Sequence, residues 1–299
     1  MLFVLYFYHK DDKFAVIRMS TLPTEYIRLY SNFFNRSYLI DYINKNSPRI
    51  ISQLTESNNL QLISEISNYT YTDFFEYIYS QMKVNYKCEY FYLNEILKNE
   101  ILKKHDHDHR VLTELKINNS AADLVVINGT TTVYEIKTEL DSFSRLEGQL
   151  SDYVKAIDKV YVVTHKSMVE KLSSYLDTVF PTVGIYILNR NNRLKLIKKA
   201  ESNRFQFDIT IMFKILNRKD FEFFSKDYYE AREEFYSLSI DECHKFLKFS
   251  LYERTKELDY LNNIPDSLKL ATFKIDNNLN NRQRSKYLKK LNKKLKEDL

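Results

Sequence analysis

An α/β fold is what this sequence predicts: a β-sheet covered by helices, with helical regions before and after it. Three observations carry that reading. Between Arg110 and Ala200 six short runs alternate with a period near two, while the flanking stretches repeat apolar residues at spacings of three and four. Several of those runs carry apolar residues on both faces, as strands do when helices cover a sheet on both sides. Only three glycines and four prolines occur, against 24 tyrosines and 20 phenylalanines, so long elements joined by polar, Asn- and Ser-rich turns are expected, with the aromatics as core mass.

The chain opens on MLFVLYFY, read as a strand entering a turn at HKDDK, with FAVIRM returning as its partner. This start lacks the basic segment and small-residue cleavage site of a secretory signal. From Thr24 to Lys104 the stretches TEYIRLYSNFF, SYLIDYINKN and YFYLNEILKNEILKK have helical spacing, so residues 1–89 form a mainly helical region with a short hairpin at its start. Residues 90–200 hold the strands VLTELKI, ADLVVIN, TVYEIKT, KVYVVTH, VGIYILN and RLKLIKK, with helices over 144–156 and 167–176. Residues 201–299 turn helical again; Ser239 and Glu242 form a capping box. The last 19 residues hold eight basic and two acidic side chains around a stripe of Leu288, Leu291 and Leu295.

Composition sets outer bounds. With 44% hydrophobic and 28% charged residues, the chain reads as a soluble folded protein. A net charge of +5 permits nucleic-acid binding without arguing for it. Cys88 and Cys243 are too few for a disulfide framework or a cysteine zinc site, which points to a reducing, cytoplasmic setting. No run approaches the roughly 18 apolar residues of a membrane helix, so no membrane partner is expected.

One strand is odd. In VYEIKTE, Glu135 and Lys137 lie two apart and so share a face where apolar residues belong. The preceding strand carries Asp123 and ends on Asn128-Gly129, a strong hairpin signal. A two-residue loop would leave Asp123 on the face away from Glu135. A loop that pairs Ile127 with Thr131, with Gly129 near the left-handed region, sets Asp123 opposite Glu135 with Cβ atoms ~5 Å apart. Two such carboxylates repel unless one is protonated or a cation lies between them. Mg²⁺ takes oxygen ligands and keeps waters that can become nucleophiles, and Lys137 beside it could orient or deprotonate such a water. The bland account is a surface hairpin with a cross-strand salt bridge.

These residues bring the chain to a resemblance. Asp123 followed across a hairpin by Glu135-x-Lys137 resembles the signature of the PD-(D/E)XK, restriction-endonuclease-like nuclease superfamily, with Ala122 where its proline often stands. In RLEGQLSDY, Gln149 and Tyr153 share a helix face with Arg145 one turn before, and Gln-x-x-x-Tyr resembles the auxiliary motif of the RecB-like branch. Ser144 and Glu147 are expected to cap this helix, and Gly148 to let it approach the sheet. From about Phe91 to Leu258 the chain also looks like a poorly characterised bacterial family of the superfamily, most closely between Glu114 and Thr164.

The resemblance implies a restriction-endonuclease-like core with a central mixed sheet, and a nuclease that uses Mg²⁺ or Mn²⁺ to hydrolyse phosphodiester bonds in DNA. Asp123, Glu135 and the Ile136 carbonyl would hold the metal, with Glu114 as an outer acid; Glu95 and Glu100 compete for that last role. Lys137 would activate water, and Gln149 and Tyr153 would brace the site. Arg145 either contacts the scissile phosphate or offsets Asp141 or Glu147. Lys289, Lys290 and Lys293 of the basic tail are candidate phosphate contacts or simply a solvated helix face. The run HDHDH, His105 to His109, reads as a polar turn in preference to a zinc site. A homodimer or a regulatory protein partner is compatible with this scheme, as is a setting in phage defence or mobile-element biology. The alternatives are a catalytically inactive DNA-binding or protein-interaction module on the same fold, and an RNA nuclease.

Overall fold

In the computed structural model the described residues are 3–7, 15–19, 21–45, 49–57, 60–104, 109–139, 141–189, 191–276 and 279–298. The opening runs pair as expected: β1 (Phe3–Phe7) lies antiparallel to β2 (Ala15–Met19), Leu5 opposite Ile17. Helices α1 (Thr24–Ser31), α2 (Arg36–Asn44), α3 (Arg49–Glu56), α4 (Leu60–Ile66), α5 (Tyr71–Asn85) and α6 (Glu89–Ile96) follow, the last continuing into a π-helical turn at Leu97–Ile101. Strands β3 (Arg110–Ile117), β4 (Ser120–Asn128), β5 (Thr130–Lys137), β6 (Lys159–Thr164), β7 (Gly184–Leu188) and β8 (Leu194–Lys198) fall on the six alternating runs. Between and after them lie α7 (Leu146–Tyr153), α8 (Val169–Val179), α9 (Ile209–Ile215), α10 (Arg218–Phe221), α11 (Tyr228–Ser237), α12 (Ile240–Glu253), α13 (Lys269–Asp276) and α14 (Asn281–Leu291).

The chain divides into two compact units, one joining Met1–Phe91 to Pro265–Leu299 and the other spanning Tyr92–Ile264. The region 201–299, read from sequence as one helical segment, is thus split at Pro265. The reason is packing. Met212, Phe213, Phe235, Leu247 and Leu251 are buried in the core of the sheet unit, whereas α14 packs against α2 and α5 in the other.

In the first unit α5 is started by a capping box in which Thr70 and Asp73 satisfy each other's main-chain N–H. It buries Tyr71, Phe74, Phe75, Tyr77, Ile78, Tyr79, Gln81 and Met82, more than one apolar stripe, as a helix that runs through a core does. Tyr42, Tyr71 and Tyr287 meet there, the Tyr42 and Tyr71 rings 4.7 Å apart. The stripe expected of α14 is corrected: Tyr287, Leu291 and Leu295 are buried, while Leu288 is exposed.

The second unit is built on a six-stranded mixed sheet in the order β3-β4-β5-β6-β7-β8. β3, β4 and β5 are antiparallel, β5, β6 and β7 parallel, and β8 antiparallel to β7. Parallel neighbours need crossovers, which α7 and α8 supply. Both pack on one face, where Leu146, Leu150, Leu172 and Leu176 meet Val133, Val160, Val162 and Ile185 in a core that α9, α11 and α12 complete. On the other face Tyr134, Tyr161 and Tyr186 form a ring cluster, and Glu100 of the π-helical turn accepts a hydrogen bond from the Leu194 N–H of β8. Gly184 is required here, because a Cβ would run into the Tyr161 ring and lie 2.6 Å from the Ala200 nitrogen. The Ser239–Glu242 capping box forms at the start of α12. No helix among the described residues is long and apolar enough to cross a membrane.

Candidate active site

The register of one hairpin decides where the carboxylates lie. β4 pairs with β5 so that Ile127 faces Thr131 and Leu124 faces Tyr134, with Gly129 at φ 65° in the turn. The ladder ends at that pair, and its register continued by one residue sets Asp123 opposite Glu135, whose carboxylate meets α7. This is the arrangement in which the two acids share a face. The Asp123 carboxylate accepts the Ile136 main-chain N–H at 2.7 Å, which anchors it to β5.

Glu135 is almost wholly buried, 1% exposed. Its Oε1 accepts hydrogen bonds from the Lys137 ammonium and the Gln149 amide, both at 2.6 Å, and its Oε2 lies 2.9 Å from the Tyr153 hydroxyl. Gln149 and Tyr153 are one turn apart on α7, so a single helix face supplies both. The Tyr153 hydroxyl also lies 2.8 Å from the Ala121 carbonyl. It has one hydrogen to give, so at any moment one of its two acceptors goes without it. Burial pushes this phenol well above its usual range, and Glu135 adds to the effect, so Tyr153 remains a protonated donor. Lys137 is locked from behind as well, since Thr164 on β6 donates to its main-chain carbonyl at 2.7 Å.

Whether a divalent ion suits this cluster can be judged from its donors. Among the described residues no group of three or more His, Cys, Asp and Glu side chains is placed to hold a metal. The oxygens that do come together are two carboxylates and the Gln149 Oε1, which is buried without a hydrogen-bond partner. An all-oxygen set with one orphaned acceptor fits Mg²⁺ or Mn²⁺, which need one or two protein carboxylates and keep waters, and does not fit zinc.

Glu114 occupies the rung of β3 beside Asp123, between the pairs Thr113–Leu124 and Leu115–Ala122, and its side chain is exposed. Its φ of 57° is in the left-handed region, where a residue with a Cβ pays ~1–3 kcal/mol. Pairing resumes in the same register on either side, so the strand is kinked there without an inserted residue. Glu95 and Glu100 are committed elsewhere: Glu95 to Lys98 and Asn99, Glu100 to β8.

Arg145 sits at the N-cap of α7, exposed, with no side-chain capping bond. Ser144 and Glu147 do not cap the helix, because the chain enters it through an αR residue instead of the extended conformation a capping box needs. Asp141 accepts from the Thr138 N–H and hydroxyl at 2.8 Å, closing the turn after β5 and leaving Arg145 unneeded there. Gly148 faces open space, so close helix–sheet approach is not its role. Of the HDHDH run, residues 105–108 lie outside the described residues, and the His109 Nε2 is 2.7 Å from the Asn128 amide.

Lys289, Lys290 and Lys293 belong to the helical unit. Lys290 is held by the Tyr42 and Lys45 carbonyls at 2.6 Å, Lys293 pairs with Asp298, and Lys289 is exposed. Sequence reading passed over Asp152. This buried carboxylate accepts from the Asn118 amide, the Asn119 N–H and the Ser120 hydroxyl, tying the β3–β4 turn to α7. The signal was available: Asp152 is three residues after Gln149 on the same helix side, and Asn118-Asn119 is a turn pair.

In sequence, this chain is similar to phage proteins. The sequence matches the family described as Bacteriophage P4 protein cII across residues 82–294. Protein cII of Enterobacteria phage P4 is 30% identical over 95 residues, 31% of this chain and 36% of the relative, so the match spans about a third of that protein's length. A solved Silicibacter pomeroyi protein of unknown function is 13% identical over 32% of this chain and 62% of its own, at a TM-score of 0.26, too slight a likeness to argue from.

Proposed function

This chain belongs to the Bacteriophage P4 protein cII family, and we propose that it is a Mg²⁺-dependent nuclease of the PD-(D/E)XK kind that hydrolyses phosphodiester bonds in DNA. One observation carries the reading. Asp123 and Glu135 share a face at adjacent strands, and Lys137, Gln149 and Tyr153 all close on the Glu135 carboxylate. A solvated hairpin salt bridge gives no reason to bury Glu135 under three donors from two elements.

Asp123, Glu135 and the Ile136 carbonyl would hold the ion, with Glu114 as an outer acid. A divalent ion held there would supply Lewis acidity, making the attacking water more acidic and offsetting charge on the phosphate. The chain's own groups do the rest. Gln149 and Tyr153 fix the plane of Glu135, and Lys137, as the ammonium that pairs with Glu135, would orient the attacking water, whose proton passes to solvent. Attack of that water on phosphorus forms one P–O bond as the other breaks, and the departing oxygen takes a proton from solvent water. Arg145, exposed at the start of α7, supplies a cation for the scissile phosphate. The phage relative suits a mobile-element setting.

A silent module on the same fold is the second reading, favoured by the near-complete burial of Glu135 and by the Lys137–Glu135 ion pair at 2.6 Å. Plasmid cleavage in Mg²⁺ or Mn²⁺ separates the two, run beside the same assay on RNA. Lys137→Ala should abolish cutting, by ~10²-fold or more. It also strands a buried carboxylate, so a stability loss on the order of 3 kcal/mol is expected by denaturant titration. Glu135→Gln with Lys137→Met removes both charges and should recover much of that stability while remaining inactive. Binding of DNA with no cutting in either metal ion favours the module.

A further inference from the structure

We propose that the groove lined by α14, where it is clamped to the end of α2, docks the sugar–phosphate backbone of a nucleic acid, independently of the Asp123–Glu135 site. Arg282, Ser285, Lys286, Lys289, Lys290 and Lys293 line a single groove of about 530 Å³. Helical spacing strings Arg282, Lys286, Lys289 and Lys290 along one side of α14, with ~10 Å between the levels of Arg282 and Lys289, and Lys293 follows just past the helix end. No carboxylate is among the lining residues.

The groove is built from fixed parts. Lys290 spans the carbonyls of Tyr42 and Lys45 at 2.6 Å and lies over the Tyr42 ring, while Gln283 and Lys286 reach Asn44 at 3.3 and 3.4 Å. These contacts lie at the C-terminal end of α2, where carbonyls lack helical partners and cations are favoured. The side chains of Arg282 and Lys289 make no hydrogen bond or ion pair with the other described residues, so none of these cancels their charge. Burial first, then the neighbouring Lys286, lowers the pKa of the Lys290 ammonium, as crowded like charges do.

The occupant follows from what the groove lacks. A helix that lies on a bilayer needs an apolar face to insert, but Tyr287 and Leu291 of α14 are turned into the core and Leu288 alone of its apolar residues is exposed. A protein partner is usually held by aromatic anchors beside arginine, and no aromatic residue is among the lining. A line of cations with one hydroxyl matches a linear polyanion.

The test uses the full chain and a labelled DNA duplex of about 20 base pairs in EDTA, so that metal-dependent cutting plays no part and its absence would not mimic failure here. Arg282→Gln/Lys286→Gln/Lys289→Gln should weaken binding about tenfold or more at moderate salt. It should also flatten the slope of log affinity against log salt by about 2 to 3. Lys290 is spared because it holds α2. Should the triple variant lose its thermal transition, the single Lys289→Glu serves, with a slope change of about 1 or more. No binding by the parent chain, or an unchanged affinity and slope in a folded variant, overturns the proposal. So does loss of binding to phosphatidylserine–phosphatidylcholine vesicles with duplex binding intact, which would assign the groove to lipid.

Discussion

At the scale of single residues, a buried ionisable group is readable through the partners that keep it in one protonation state. His244 is such a group, kept neutral by its burial. It is 4% exposed, packs on the Phe207 ring, and has its Nε2 3.3 Å from the Thr131 hydroxyl. Burial pushes its pKa down to about 4, with Arg204 and Lys248 adding to the shift and Asp158 and Asp241 opposing it. The folded pKa is depressed below the unfolded value near 6.5, so the unfolded chain binds the extra proton between them. The stabilisation is therefore complete above about pH 6.5 and is lost as pH falls towards 4, on the order of 3 kcal/mol in all. Thermal unfolding followed between these pH values should show that loss, and His244→Leu should flatten it. Asp158 adds a further loss at lower pH: burial alone would raise its pKa, but the Ser202 and Thr130 hydroxyls and Arg204 hold it below the usual carboxylate value. An unchanged acid profile in His244→Leu would mean that the imidazole is not desolvated as its packing indicates.

At the scale of elements, the strands were legible because side chains alternate with a fixed period of two, whereas the hairpin admitted two registers, and the one found, with Ile127 opposite Thr131, has Gly129 at a positive φ. Strand alternation put Glu135 and Lys137 on one face, while the grouping of Asp123, Gln149 and Tyr153 with them was legible only through the motif resemblance. The start of α7 was not legible, since Ser144 and Glu147 have the residue types of a capping box while the backbone before Leu146 is already helical. Glu114 was hidden for a related reason: nothing in LTELKI signals a left-handed residue, for which glycine or asparagine is the usual mark. This strain gives a test of β3. Glu114→Gly relieves the conformational cost and should stabilise the chain by about 1 kcal/mol despite the greater entropy of an unfolded glycine. Glu114→Gln keeps the strain and should lie within about 0.5 kcal/mol of the parent in denaturant titration. Equal stability of all three would show that the φ of 57° costs nothing here.

At the scale of the whole molecule, the interleaving of the two units could not be read from the chain, because local pattern says that residues 281–291 are helical but not which core receives them. Their apolar positions are few. Tyr287, Leu291 and Leu295 are nonetheless buried, and the main chain beyond them is stitched to the start of α5: the Tyr71 N–H donates to the Lys293 carbonyl and the Leu295 N–H to the Tyr69 carbonyl. Tyr71 adds a hydroxyl bond to Asp298 at 2.9 Å. A basic, soluble-looking tail is in this sense a structural strap of the N-terminal helices. Large-to-small changes at buried leucines cost ~2–5 kcal/mol each, so Leu291→Ala with Leu295→Ala removes an amount comparable to the stability of a whole domain. The loss should be confined to one unit, since the contacts that form the sheet core are made within Tyr92–Ile264. Hydrogen exchange on the full-length double variant should therefore show protection collapsing over α5, Tyr71–Asn85, while β4 and β5 keep theirs. Uniform loss across both would mean that the two units fold as one cooperative body, and unchanged protection in α5 would mean that the tail is only draped on the surface it occupies.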